Sequence, residues 1–422
     1  MNAMAAVQPP PDDAPSPTWH AMRPSSLAAA AAERHPERLA LIDQPGRQDW
    51  SGRPRIAWTH ATAGAIRRRL VRFLAGLGLP SGAVVGLCLP GGSEASLALL
   101  AVEEAGLTPC LLPLSWSEEE LGTALEAAHV QAVVTQGAVG DCRPAETLCR
   151  LAARYFGLRF VCAFGPHVPD GVIDIDRFIV GEDGPEAAPA EAPREGGIVT
   201  FSRRDGPGRP VFRPLRSALA ATLALLVATR IEPGDRLVTL VAPDDLAGLA
   251  TGPLAALVSG AALESHGLFD GARLIETLTD PACGPTHVVA PGWMETHLAA
   301  AGLPPCVRSV LLVHPAPVRF RAKTALARPV VDVLALDEDA LVAQARRGDR
   351  FALSLQDEAG GTAPAHGLLR VRTGPGGEIE VAGAAGDVRS FDRSGPGSAA
   401  GREWRATGRR AEVFAGIVIG VS

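Results

Sequence analysis

The stretch Thr200–Pro214, TFSRRDGPGRPVFRP, gathers residue types suited to holding phosphate: hydroxyls at Thr200 and Ser202, glycines at Gly206 and Gly208, and arginines at Arg203, Arg204 and Arg209. A strand-like run, GGIVTF, leads into it, and an apolar helical pattern, LRSALAATLALLVATRI, follows. Strand, glycine turn and helix is the arrangement in which backbone N–H groups surround a phosphate, and arginines add charge-assisted hydrogen bonds. A loop that works on a nucleotide also carries a lysine, and this stretch has none. The only lysine in the chain is Lys323, in RFRAKTALARP, an arginine-rich segment that reads as exposed surface. Lysine chemistry therefore requires Lys323 or a second molecule.

The elements that must position this loop alternate. The helix SSLAAAAAERH opens at Ser25 or Ser26 and stops before Pro36, and the strand LALID follows. Next come the helix THATAGAIRRRLVRFLAGLG, capped by Thr59 and ended by Gly78, the strand VVGLCLP, and the helix SEASLALLAVEEAG, capped by Ser93. After the strand TPCLLPL, Ser117 and Glu120 form a capping box for another helix, and QAVVTQ is again a strand. Strands alternating with helices predict an α/β fold built on parallel units. The polar, proline-rich stretch 181–197 reads as a linker. The expected organisation is a disordered tail at 1–24, an α/β subdomain at 25–180, a second at 198–337, and a small β-rich subdomain at 338–422.

Composition narrows the partners. Net charge is -6, which gives no basic field for nucleic acid. The seven cysteines form no CxxC pair and lie mostly in apolar runs, as reduced core cysteines of a cytoplasmic protein would. The N-terminus lacks a cationic segment followed by an apolar one, so no signal peptide is expected. The uncharged stretch LAGLATGPLAALVSGAAL (246–263) approaches membrane-span length, but Gly252 and Pro253 interrupt it. It reads as a buried helix rather than a membrane span.

The ordered series RHPERLALID, GLPSGAVVGLCLPGGSEASLALLAVEEAG, the loop at Thr200, PGDRLVTLVAPDDLAGL, THVVAPGWM and GREWRATGRRAEVFAGIVIG resembles the class I adenylate-forming enzymes, including acyl-CoA synthetases and nonribosomal peptide synthetase adenylation domains. The resemblance covers roughly Ser25 to the end. It implies the family's large N-terminal domain: two mostly parallel sheets flanked by helices, plus a small distorted β-barrel-like subdomain. Ser422 falls about where that family's hinge begins, so the mobile C-terminal domain and its catalytic lysine are expected to be absent. The implied cofactors are ATP or AMP with magnesium, and the implied ligand is a small acyl or carboxylate compound.

Position by position, the family loop Thr-Ser-Gly-Thr-Thr-Gly-any-Pro-Lys is matched by Thr200, Ser202, Gly206, Gly208 and Pro210. The loop is about two residues longer than the family's, bulky Arg203 and Arg204 replace small hydroxyl residues, and Val211 stands in the lysine's place. Leu246 replaces an acyl-pocket histidine, and Trp293 is a candidate wall of the same pocket, with core packing as the alternative. The family's Tyr-Gly-any-Thr-Glu aligns with LALDE, so Glu338 falls on the magnesium carboxylate, although Asp337 and Glu338 also read as an acidic helix start. Arg409 takes the place of the ribose-binding aspartate. These losses together predict a degenerate relative without acyl-adenylate formation, a pseudoenzyme that binds a ligand or a protein partner. The alternative is a carboxylate-activating ligase completed by a separate C-terminal-domain protein.

Overall fold

A computed structural model describes residues 22–181, 195–280, 284–320, 325–347, 367–398, 404–414 and 417–422. Lys323, Cys283, residues 1–21 of the expected tail and most of the expected linker lie outside the described residues.

The chain begins α1 (Pro24–Arg34), β1 (Leu39–Asp43), α2 (Arg47–Ser51), β2 (Ala57–Thr59), α3 (His60–Gly76), β3 (Val84–Leu87), α4 (Gly92–Glu104), β4 (Thr108–Leu111). It continues α5 (Glu118–Ala127), β5 (Ala132–Gln136), α6 (Pro144–Ala152), β6 (Phe160–Phe164), β7 (Ile173–Asp174), α7 (Ile175–Val180), β8 (Gly197–Phe201), β9 (Pro210–Pro214), α8 (Leu215–Val227). Then come β10 (Arg236–Thr239), α9 (Leu246–Thr251), α10 (Pro253–Ser259), β11 (Ala262–Ser265), α11 (Gly271–Thr279), β12 (Thr286–Pro291), α12 (Glu295–Ala301), β13 (Val307–Pro315). The remainder is β: β14 (Val318–Arg319), β15 (Val330–Leu336), β16 (Ala340–Ala345), β17 (Arg370–Thr373), β18 (Glu378–Ala382), β19 (Arg389–Asp392), β20 (Gly395–Pro396), β21 (Arg405–Phe414) and β22 (Ile417–Val421).

These strands form a nine-stranded sheet (β20-β19-β9-β8-β4-β3-β5-β6-β7), an eight-stranded sheet (β16-β15-β13-β12-β10-β11-β1-β2) and a five-stranded sheet (β14-β22-β21-β18-β17). Pairing is parallel through the middle of both large sheets. The cause is visible in the strands themselves: β3, β4 and β5 are buried at every position, as short apolar strands covered on both faces must be. On the eight-stranded sheet, helix α8 packs its buried Ala220, Ala221 and Leu225 with Leu237, Val289 and Leu311, and burial of a leucine there stabilises by roughly 2 kcal/mol.

The sheets do not follow the chain divisions expected at 181–197 and 337. Strands β1 and β2 cross into the eight-stranded sheet, β8 and β9 join the nine-stranded sheet through β4, and β19 and β20 extend that sheet from its far end. Residues 338–345 belong to the β15–β16 hairpin rather than to the small sheet. Long-range burial decides these pairings, and a polar connector does not reveal them.

Among the caps, Thr59 accepts from Thr62 N–H at 3.2 Å, and Ser117 with Glu120 forms the capping box. Two cap assignments change. Arg23, not Ser25 or Ser26, precedes α1, and Gly91 precedes α4. Ser93 lies inside the first turn of α4, where its hydroxyl donates to the Asp43 carboxylate at 2.6 Å. That carboxylate also meets Arg47, which bridges to Glu94, so a buried ion cluster ties β1 of one sheet to the helix beside the other. The apolar run 246–263 becomes α9, α10 and β11, broken at Gly252–Pro253. Among the described residues no helix is long and apolar enough to cross a membrane.

Candidate functional site

Three segments meet beyond the carboxyl ends of strands: the turn after β8, the loop from β10 into α9, and the turn between β15 and β16. Ligands of α/β sheets bind along this edge. The turn after β8 is not a direct lead into a helix. Strands β8 and β9 pair antiparallel, with Thr200 opposite Val211 and Phe201 opposite Pro210, so Ser202–Arg209 is a hairpin turn and α8 starts only at Leu215. The strand β9 escaped sequence reading because PVFRP is short and bounded by prolines.

The donors of this turn are already held by acids of the same chain. Thr200 Oγ1 donates to Glu338 Oε2 at 2.7 Å, Ser202 Oγ donates to Asp337 Oδ2 at 2.5 Å, and the Arg203 amide donates to Asp337 Oδ1 at 2.8 Å. The Arg203 guanidinium pairs with Asp245 at 2.6 Å, and Arg209 pairs with Asp205 at 3.2 Å. Arg204 reaches across to the Thr407 carbonyl at 2.9 Å and lies over Gly408. A Cβ on Gly408 would sit 2.0 Å from the Arg204 Nη1, and its φ of +67° is a glycine conformation, so this contact requires the glycine. Gly206 adopts a positive φ of 78° in the turn, and its N–H donates to the Ser202 carbonyl at 3.0 Å.

Asp337 and Glu338 do not start a helix. They form the turn of the β15–β16 hairpin, with Asp337 at φ +53°. Glu338 is buried, and its Oε1 accepts from the Leu246 amide at 3.1 Å, the first N–H of α9. Asp245 caps the same helix by accepting from Gly248 N–H at 2.8 Å. Gly248 is obligatory, because a Cβ there would lie 1.8 Å from the Ala242 carbonyl oxygen. Beneath the turn, fully buried Arg213 donates to the Glu338 carbonyl, the Ser217 hydroxyl and the Ala385 carbonyl.

The electrostatics follow from this burial. Burial first, and the Asp245 charge second, push the Glu338 carboxyl up to about 8 against the opposing pull of Arg213. Burial and Asp245 raise Asp244 to about 7, and Arg203 opposes them. Arg203 is itself raised, chiefly by Asp245, and burial brings Arg213 down to about 10. The site is therefore a neutralised knot of acids and arginines, and sequence reading missed Arg213, Asp244 and Asp245 as its members. The adjacent aspartates before α9 were a usable cap signal; the buried arginine carried none.

A sequence profile for the AMP-binding enzyme family matches residues 28–159. No protein of curated function matches the chain in sequence. In structure it is similar to O-succinylbenzoate coenzyme A synthetase from Bacillus subtilis in complex with AMP, with a TM-score of 0.69, 17% identity, and coverage of 94% of this chain and 77% of that one. It is also similar to the inhibitor-bound N-terminal domain of FACL13 from Mycobacterium tuberculosis (TM-score 0.70, 15% identity, 94% and 98% covered). Coronafacic acid ligase from Pectobacterium brasiliense aligns at TM-score 0.70 with 11% identity, covering 95% and 78%. The chain has the N-terminal-domain fold of adenylate-forming enzymes.

Within the adenylate-forming fold, Thr200 and Ser202 meet the turn that carries Asp337 and Glu338. Val211 instead pairs inside the hairpin opposite Thr200. Arg409 lies on β21, half-buried, its amide donating to Thr407 Oγ1 at 3.2 Å and its Nε buried without a hydrogen-bond partner. Leu246 and Trp293 do not make one pocket. Leu246 packs in the core cluster with Val333 and Leu334, whereas Trp293 is 63% exposed, which also overturns core packing for it. The cavity of about 20 Å³ that touches Asp244 and Pro243 holds about one water, not an acyl chain. Among the described residues no three His, Cys, Asp or Glu side chains are grouped to hold a metal ion. As arranged, these residues do not fit a magnesium–nucleotide complex: the donors a phosphate needs are bound to carboxylates.

Proposed function

We propose that this chain keeps the adenylate-forming scaffold without forming acyl-adenylates, and acts in the cytoplasm by binding a small acyl or carboxylate ligand or a protein partner. The observation that carries this reading is the capture of the loop's donors, Thr200 and Ser202 hydroxyls and the Arg203 amide, by Glu338 and Asp337. A carboxylate in hydrogen-bond contact with a phosphate-loop amide occupies the place of the anion. The absence of a loop lysine and the arginine at 409 point the same way.

The test is ATP–pyrophosphate exchange with a panel of carboxylates, together with calorimetry of ATP·Mg against the purified chain. Neither exchange nor heat at micromolar ATP is expected. Formation of an acyl-adenylate by the chain alone would refute the reading. One observation favours a second reading, a ligase completed by a separate C-terminal-domain protein: the Thr200–Glu338 pair keeps a hydroxyl beside an acid at the two family-matched positions. Exchange that appears only when such a protein is added would select it.

A further inference from the structure

The opposite edge of the eight-stranded sheet holds a second set of chemical groups. In the parallel pair β12–β13, His287 lies beside Ser309, and its Nδ1 stands 2.7 Å from the Ser309 Oγ. The other ring nitrogen, Nε2, is 3.0 Å from Asp235 Oδ2, just before β10. Asp235 is fixed in turn by the Glu232 amide, which donates to the same oxygen at 2.9 Å. In the tautomer that donates Nε2–H to the carboxylate, the His287 Nδ1 accepts from the serine hydroxyl. A nucleophile, a base within reach and a third group orienting the base is the arrangement that activates serine.

Two further observations separate this chain of contacts from a satisfied core histidine. The register between the strands slips: Thr286 pairs with Val307 but His287 with Ser309, so Arg308 is an extra, bulged residue. Bulges are rare in parallel pairs and re-aim side chains next to functional sites. The three polar residues also line a cavity of about 660 Å³, together with Thr229, Arg230 and Arg308, which is room for a small-molecule ligand. Neither the Arg230 nor the Arg308 side chain makes an ion pair or hydrogen bond among the described residues, so both are available to an anion.

We propose that this cavity is an esterase-type site, distinct from the crevice at the other edge, for acyl esters or thioesters that carry a negative charge. Ser309 Oγ bonds to the acyl carbon while its proton passes to His287 Nδ1, and Arg308 or Arg230 faces the oxyanion or the substrate's charged group. The bond to the leaving alcohol or thiol breaks, and that group takes the proton from His287. Water then attacks the acyl-serine and gives His287 a proton, which returns to Ser309 as the carbon–Oγ bond breaks and the acid leaves. Asp235 acts as a positioning residue. No ATP is used, so the outcome is independent of whether the chain forms adenylates.

The experiment uses the full chain with a fluorophosphonate probe, and with 4-nitrophenyl acetate and its anionic counterpart 4-nitrophenyl hemisuccinate. Labelling that maps by mass to Ser309 is expected, with hemisuccinate the better substrate. Ser309→Ala, shown folded by its melting curve, should lose the label and at least about 100-fold in turnover. Asp235→Asn should lower kcat with little change in KM, and Arg308→Ala should raise KM more for hemisuccinate than for acetate. No label at Ser309, or equal turnover by wild type and Ser309→Ala, would overturn the proposal.

Discussion

Replacing Glu338 by glutamine tests whether this acid is held neutral inside the knot. The ordinary carboxyl value of 4.5 is raised to about 8 in the folded chain. In the unfolded chain Glu338 ionises near 4.5, so between about pH 4.5 and 8 the folded state binds the extra proton. Stability then falls as pH rises through that window and levels off above the folded value. At 1.36 kcal/mol per unit the ceiling is about 5 kcal/mol, and relaxation and residual hydration reduce it to a few. Glutamine mimics the protonated acid, in which the Thr200 hydroxyl accepts from Oε2–H instead of donating to it: the amide carbonyl can accept from the Leu246 amide and the NH₂ can face the Thr200 hydroxyl, the two groups Glu338 now meets. The variant should match wild type near pH 4.5 and exceed it by about 2 kcal/mol or more at pH 8. Urea melts from pH 4.5 to 8.5, compared as differences, remove the contribution of other titrating groups. Parallel curves for the two proteins would show that Glu338 is ionised in the fold, and the neutral knot would be wrong.

Gly248→Ala should cost about 3 kcal/mol or more in a denaturant melt, because its Cβ would collide with the Ala242 backbone and displace the loop that carries Asp244 and Asp245. In the native protein a thiol reagent should modify exposed Cys142 and leave Cys88, Cys110 and Cys162 untouched until unfolding. Burial pushes the thiols of Cys88 and Cys162 up to about 12 and that of Cys110 higher still, so none offers thiolate, and mass mapping of the adducts checks the order.

The alternation of strands and helices was legible because central strands such as β3, β4 and β5 are apolar on both faces and a helix such as α3 carries an apolar stripe, and Thr59 and Ser117 were legible because capping is a local contact. The sheet membership of β1, β2, β8 and β19 was not, since a strand of three to five residues fits either sheet equally well until its neighbours are known. The loop residues Thr200 and Ser202 could be named from type and spacing. Their partners could not, because Asp337 and Glu338 lie more than 130 positions away and an acidic pair looks the same before a helix as in a hairpin turn. The cysteine reading holds for three buried thiols and fails for Cys142, which sits in a surface bridge between Val139 and itself rather than in an apolar strand. Ser309, His287 and Asp235 left no motif at all: strand register alone brings them together.

The two edges of the eight-stranded sheet differ in what a ligand must displace. At the carboxyl edge, an incoming phosphate has to part Ser202 and the Arg203 amide from Asp337, Thr200 from Glu338, and Arg203 from Asp245 before it gains any contact of its own. At roughly 1 kcal/mol net for each exchange, and more where a buried acid is left unpaired, the sum is about 4 kcal/mol, close to a thousandfold in affinity. A micromolar nucleotide site would thereby become a millimolar one with no change in backbone shape. At the amino edge, Arg230 and Arg308 line the cavity beside Glu232 and Asp235, and neither arginine is held by an ion pair or hydrogen bond among the described residues. Retained geometry is thus a poor guide to retained binding on this scaffold, and the edge whose cations stand free is the one where a charged ligand gains most.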